Sequence, residues 1–396
     1  MKQQAQNAQA PAALEAEVKK FEFGNGARVG GEAAREAARA LSVELPEGNY
    51  TVKLRLGDEV AASETTVKAE SRRLMLLRVR TEPGQFVERS FTVNVRMPRL
   101  ESGQSVRLKA REAGSLSWDH LLSLEFLGAR PAVHSIEITR DERAPTLFIA
   151  GDSTVTDQAE EPWAGWGQML PCFFKPGLAV ANYAESGETL RAFQGERRLE
   201  KITDSLQPGD ALLIQFGHND MKEKGEGVGA FTTYKASLKH FVAQARAHGA
   251  TPILVTPMHR RRFDEVGHVV ETLGDYPEAV RQAAREEKVA LIDLNSMSRP
   301  LYEAWGPEGS KQAFVHYAPN TFPGQTERLR DNTHFNIYGA YELARCIVEG
   351  LRASSVGLKT FLIGQPAPFD PARPDAIGSI SIPPSAARPS QKPQGS

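Results

Sequence analysis

Between Pro145 and Arg352, apolar runs at residues 147–150, 179–181, 212–216, 253–255 and 290–292 are separated by longer segments of helical period, and each run ends in small or polar residues. Runs without polar alternation belong to strands covered on both faces, and amphipathic segments such as residues 234–247 and 276–287 supply the cover. This part of the chain is thereby restricted to a parallel sheet layered between helices. Ligands of such sheets bind beyond the carboxyl ends of the strands, so the residues just past each run are the ones to read. They are Gly151-Asp152-Ser153-Thr154, Ala184-Glu185-Ser186-Gly187, Gly217-His218-Asn219-Asp220 and Met258-His259-Arg260-Arg261-Arg262. A further polar block, Asp331-Asn332-Thr333-His334, leads into a last amphipathic segment at 337–352.

Upstream the rhythm is different. Tyr50, Val52, Leu54 and Leu56 alternate with polar residues, and similar short runs at 91–95, 106–110 and 136–138 are bounded by turn sequences. That period-two pattern predicts an antiparallel β-sandwich. Trp118 is the one tryptophan of this region, so the flat aromatic platform of many sugar-binding sandwiches is missing and a structural or weakly substrate-contacting role is expected. The expected organisation is a polar tail at 1–14, the sandwich at 15–143, the α/β domain at 144–356 and a Pro/Ser-rich extension at 357–396. Within the extension, 361–363 and 377–382 are candidates to dock on the body, and the final stretch is expected to be disordered.

Lys and Arg total 48 against 49 Asp and Glu, a net charge of -1. A near-neutral chain lacks the broad positive field of nonspecific nucleic-acid binders, and no nucleic-acid partner is expected. No run approaches the ~18 apolar residues of a membrane helix, so no membrane partner is expected either. The polar opening fits either a cytosolic start or a chain from which a secretion signal is missing. Cys172 and Cys346 exclude a disulfide-rich scaffold and a four-Cys zinc site, and leave open one bridge or, the favoured reading, two buried thiols. No cluster of His, Glu and Cys has metal-ligand spacing, so neither metal nor cofactor is expected.

A serine becomes a nucleophile when a base takes its proton, and the base needs a third group to orient it. Ser153 and His334 fit the first two roles. Asp331, three residues before His334, can hold the imidazole. The N–H groups of Ser153 and Gly187 and the amide of Asn219 fit the donors that a developing oxyanion requires. Each block alone is also what a turn or a helix cap looks like. Together, in this order at the ends of different strands, they make an acyl-transfer site.

Gly151–Thr154, the glycine block Asn182–Arg191, Phe216–Asp220 and Asp331–Phe335 resemble the ordered blocks of the SGNH, or GDSL-type, hydrolases. The nearer similarity is to rhamnogalacturonan acetylesterases of carbohydrate esterase family twelve, supported by residues 151–158, 162–168, 213–220 and 256–261. The resemblance implies a flavodoxin-like three-layer SGNH hydrolase domain preceded by the sandwich. Ser153 would be nucleophile and first oxyanion donor, Gly187 the second and Asn219 the third, with His334 as base and Asp331 as its orienter. His218 falls on a variable position, structural or at the rim, and Asp152 is expected to fix the loop by hydrogen bonding. Trp166 matches a Trp-Gly pair of the family and is a candidate pocket wall, as Trp163 is by spacing.

The implied function is a serine esterase that removes acetyl groups from a plant cell-wall polysaccharide, with pectic rhamnogalacturonan preferred over xylan, and with export expected. A lipase on the same scaffold would carry a long apolar lid, whereas residues 223–229 and 319–330 are polar and glycine-bearing. A noncatalytic glycan-binding protein is the rival of another class. Galacturonate carries a carboxylate, and one of Arg260 or Arg261 is expected to grip it, with His259 nearer the pocket. The oligomeric state is not legible.

Overall fold

The computed structural model describes residues 18–23, 40–364 and 368–385. The expected tail at 1–14 and the disorder expected at the very end of the chain lie outside the described residues.

The amino-terminal unit comprises β1 (Val18–Glu22), β2 (Ala40–Glu44), β3 (Gly48–Leu56), β4 (Ser63–Ala69), β5 (Arg73–Thr81), β6 (Val87–Val95), β7 (Leu121–Arg130) and β8 (Val133–Arg140). These pair antiparallel into two sheets, ordered β1-β8-β3-β6 and β2-β7-β4-β5. Alternation in β3 sends Tyr50, Val52, Leu54 and Leu56 inward, against Phe91, Val93, Leu122, Leu124, Phe126, Ile136 and Ile138. That is the sandwich core. The strand expected at 106–110 is absent: the segment runs as an irregular connector into a 3-10 turn at Ala110–Glu112. Val106 and Leu108 alternate as in a strand, but Val106 is buried and Leu108 partly buried against the following unit rather than inside the sandwich.

The second unit contains β9 (Thr146–Gly151), β10 (Ala179–Asn182), β11 (Ala211–Gln215), β12 (Thr251–Val255) and β13 (Ala290–Ile292). All are parallel in the order β10-β9-β11-β12-β13, the flavodoxin-like arrangement with its switch point beside β9. Successive residues serve opposite faces. Leu147, Ile149, Leu213 and Ile253 pack under the helix Ile337–Ala353 through Leu343 and Ile347. Phe148, Ala150, Leu212, Ile214 and Leu254 meet Leu238 and Phe241 of the helix Lys235–Ala247 and Val280 of the helix Tyr276–Glu287. Full burial of each large apolar side chain contributes about 1.5–3 kcal/mol, so packing on both faces anchors this sheet.

β14 (Phe314–Tyr317) and β15 (Leu329–Phe335) form an antiparallel hairpin that delivers the last polar block to the carboxyl edge of the sheet. Asn336 then caps the helix Ile337–Ala353, its Oδ1 accepting the N–H groups of Tyr338 and Gly339 at 3.1 Å each, so the chain direction just after His334 is fixed.

The two units interpenetrate. Leu74 of β5 is buried in the α/β core beside Leu147, Trp166 and Met169. In the extension Phe369 and Ile382 are buried in that core, and Pro383 O accepts from Lys68 Nζ at 2.7 Å. Both cysteines are free thiols, Cys346 buried and Cys172 partly so. No helix among the described residues is long and apolar enough to cross a membrane.

Candidate active site

β9 ends at Gly151, where a Cβ would lie 2.9 Å from the carbonyl of Gln215, so only glycine lets the two strand ends approach. The chain then turns through Asp152, whose Oδ1 accepts from Thr154 N at 3.0 Å and Thr154 Oγ1 at 2.7 Å. This Asx turn presents Ser153. Ser153 Oγ lies 2.7 Å from His334 Nε2, and His334 Nδ1 lies 2.7 Å from Asp331 Oδ2. Asp331 Oδ1 accepts the backbone N–H groups of Thr333 and His334 at 2.8 and 3.0 Å. Burial raises the Asp331 pKa, but the bonds from His334 and these N–H groups outweigh it and bring the carboxyl down to about 2. A lasting carboxylate on Nδ1 leaves Nε2 bare toward the serine, the tautomer that can accept its proton.

The N–H groups of Ser153 and Gly187 have no acceptor among the described residues, and neither N–H lies within a helix or strand. Asn219 spends one amide hydrogen on Glu188 O at 3.0 Å, which leaves the other for a ligand. Gly187 has φ +81°, a left-handed conformation suited to glycine. The three donors and the Ser153–His334–Asp331 chain thus form at the carboxyl ends of β9, β10 and β11.

Asp152 is fully buried, and its second oxygen faces His218 Nδ1 at 3.4 Å. Burial raises its pKa, yet His218 and the bonds from Thr154 hold the carboxyl below the ordinary range. His218 Nε2 contacts Met258 O at 3.0 Å, so this buried ring ties the β11 block to the β12 block. Trp166 is corrected from pocket wall to core. It is fully buried, and its indole N–H donates to Gln215 Oε1 at 2.8 Å, while Gln215 Nε2 donates to Thr154 Oγ1 at 3.1 Å. Trp163 is also buried.

The basic block divides. His259 is corrected: it is 1% exposed, with Nδ1 on Ser298 Oγ at 3.1 Å and Nε2 beside Glu271 Oε2 at 3.1 Å, and so presents no face to a ligand. Arg261 is spent within the protein, donating to Ser310 Oγ and Asn332 Oδ1 at 2.9 Å each and also to Pro307 O. Arg260 lies at the site, reaching His218 O at 3.1 Å and Thr333 Oγ1 at 3.2 Å.

Gln158 and Arg72 support the nucleophile loop. Gln158 Nε2 donates to Ser153 O at 2.8 Å, and Gln158 O in turn accepts from Arg72 Nη1 at 3.0 Å and Gln168 Nε2 at 2.9 Å. Arg72 belongs to the β4–β5 turn of the sandwich, so the nucleophile loop is braced from the other unit. Gln158 is visible in the 151–158 motif, whereas nothing in the sequence pairs Arg72 with it. Among the described residues no group of three or more His, Cys, Asp or Glu is arranged to hold a metal ion. A cavity of about 710 Å³ opens beside Thr146 and Asp210, at the amino ends of β9 and β11 and away from Ser153.

A model described as the GDSL-like lipase/acylhydrolase family matches residues 149–339. Rhamnogalacturonan acetylesterase RhgT of Bacillus subtilis (strain 168) is 43% identical over 221 residues, 55% of this chain and 94% of RhgT. The chain belongs to the GDSL-like lipase/acylhydrolase family. Within it, the probable rhamnogalacturonan acetylesterase YesY of the same organism is 34% identical over 220 residues, 55% of this chain and 97% of YesY. The crystal structure of YxiM from Bacillus subtilis superposes with a TM-score of 0.50 at 26% identity, covering 80% of this chain and 81% of YxiM. That coverage exceeds the α/β unit and takes in much of the sandwich. This family member is a serine esterase.

Proposed function

We propose that the chain is a carbohydrate acetylesterase that deacetylates rhamnogalacturonan. The observation that carries the chemistry is the unbroken Ser153–His334–Asp331 chain, with 2.7 Å at each contact. Ser153 Oγ attacks the acetyl carbonyl and its proton passes to His334 Nε2. The oxyanion is held by the N–H groups of Ser153 and Gly187 and by Asn219 Nδ2. Collapse breaks the bond to the sugar oxygen, which leaves as an alkoxide and takes the proton from His334 to become the free hydroxyl. Water that gives a proton to His334 then attacks acetyl-Ser153, and as acetate leaves His334 returns that proton to Ser153 Oγ.

The choice of polymer is supported by the names of RhgT and YesY and by charge beside the site. Lys311, His316, Arg328 and Arg330 line a cleft of about 460 Å³ along the hairpin that carries Asp331 and His334, and no carboxylate lines it. Arg328 and Arg330 are exposed, and no carboxylate faces them across the cleft lining. A galacturonan backbone offers the carboxylates that such guanidinium groups bind, and neutral xylan does not. With Arg261 committed elsewhere and Arg260 likewise bonded through all three guanidinium nitrogens, to Thr333 Oγ1, Met221 Sδ and His218 O, the uronate-binding role falls to Arg328 and Arg330 of this cleft. Acetate release from acetylated rhamnogalacturonan and from acetylated xylan, compared at equal ester concentration, tests the reading. Faster turnover of the pectic polymer is expected, and faster turnover of xylan would overturn the pectic assignment while leaving the esterase.

A further inference from the structure

Two cations of the β unit end on a single peptide group of the active site. The carbonyl of the Ser186–Gly187 peptide accepts from Lys109 Nζ at 2.8 Å and from Arg111 Nη2 at 2.5 Å. The N–H of that same peptide is the Gly187 donor assigned above to the oxyanion. Both cations are held in place. Lys109 also pairs with Glu188, and Arg111 Nε donates to Glu185 Oε1 at 2.8 Å. Their segment is pinned by Glu112, whose carboxylate receives Lys109 N at 2.8 Å, Trp118 Nε1 at 3.0 Å and Arg198 Nη1 at 3.0 Å. The backbone beside it is tied as well, Arg107 N donating to Glu196 O at 2.9 Å.

A peptide group is planar, so bonds that fix its oxygen also fix the direction of its N–H. Glycine at positive φ crosses easily between backbone conformations, and rotation of this peptide would replace the donor with a carbonyl oxygen facing the developing negative charge. Lys109 and Arg111 bond only the oxygen and oppose that rotation. Charge-assisted bonds also draw electron density onto the oxygen and leave the N–H a stronger donor, because linked hydrogen bonds polarise one another.

We propose that Lys109 and Arg111 are positioning residues for the oxyanion hole, so that the β unit takes part in catalysis by aiming and polarising the Ser186–Gly187 peptide. The inference rests on the proposed role of the Gly187 N–H. It assigns the β unit an effect on turnover of every acetyl ester, not only of polysaccharide.

The test compares Arg111→Met, Lys109→Met and Ser153→Ala with wild type on 4-nitrophenyl acetate. Deleting an oxyanion donor costs about 10²–10³ in kcat, so misaiming one is expected to cost about tenfold per cation with KM nearly unchanged. Lys109→Arg should retain most of the rate. Lys109→Met leaves the buried Glu188 unpaired, so Lys109→Met/Glu188→Gln gives the same reading without an orphaned charge if the single variant fails to fold. In 15N-labelled protein the Gly187 amide proton should move upfield in Arg111→Met, a change independent of turnover. Folded variants with wild-type kcat, or with losses confined to KM, would overturn the proposal. If Ser153→Ala abolishes turnover while the cation variants match wild type, the brace alone is wrong. If Ser153→Ala retains turnover, the esterase mechanism and the brace fall together.

Discussion

Asp331→Asn changes one atom of the site and reverses a proton. In the native site Asp331 Oδ1 takes the N–H groups of Thr333 and His334, and Oδ2 takes His334 Nδ1. An asparagine keeps the first two bonds by placing its oxygen at Oδ1, which turns its NH2 toward Nδ1. The ring must then accept at Nδ1 and carry its proton on Nε2, aimed at Ser153 Oγ only 2.7 Å away. That tautomer cannot take the serine proton, and the charge that steadies the imidazolium is gone as well. The equivalent change in a serine protease lowers kcat about 10⁴-fold, or about 5.5 kcal/mol of barrier, and a loss of that order is expected here. The fold should survive, since the two backbone bonds persist. Steady-state hydrolysis of 4-nitrophenyl acetate from pH 5 to 9, beside a melting curve, measures both. A folded variant within tenfold of wild type would show that Asp331 does not set the tautomer.

Asn219→Ala removes one oxyanion donor and should lower kcat about 10²–10³-fold while Ser153 can still be acylated, and a change in KM alone would remove Asn219 from that role. Arg328→Ala/Arg330→Ala should raise KM for acetylated rhamnogalacturonan and flatten its salt dependence without affecting 4-nitrophenyl acetate, and equal losses on both substrates would make these arginines structural. The Asp331 carboxyl, brought down to about 2, should contribute no step to wild-type kcat/KM above about pH 4, and a carboxyl resonance of Asp331 that titrates above that pH would contradict this. Stability should decline from pH 5 to 8. Burial raises Asp220 and Glu70 to about 8, so protons kept by the folded state are lost by the unfolded chain from about pH 4 upward. Asp220→Asn should reduce that decline as read from melting temperatures across the range, and an identical slope would place the effect elsewhere.

The α/β core was legible because strands covered on both faces leave continuous apolar runs, and the residues at their ends are where such a sheet holds a ligand. Ser153, His334 and Asp331 meet at that edge, and Gly187 and Asn219 follow the ends of β10 and β11. The misread residues share a different cause. Val106 and Leu108 alternate like a strand, yet the face they bury belongs to another unit. Trp166 opens a single helical turn at Trp166–Met169 and His259 sits in a loop, both side chains point back into the core, and neither segment is long enough for periodicity to record that. Arg72, Lys109 and Arg111 look like ordinary charges on a sandwich because their partners, Gln158 O and Ser186 O, are backbone atoms distant in sequence.

The central claim is that turnover passes through an acetyl group on Ser153. Wild-type enzyme mixed with excess 4-nitrophenyl acetate, quenched in acid within a single turnover and digested, can be read by peptide mass spectrometry. The account predicts an acetyl adduct on the peptide containing Ser153, formed in step with the nitrophenolate burst and absent from Ser153→Ala, which should also release no acetate. Acetate release by Ser153→Ala at the wild-type rate, or an adduct on another residue that forms and decays at the rate of turnover, would contradict it.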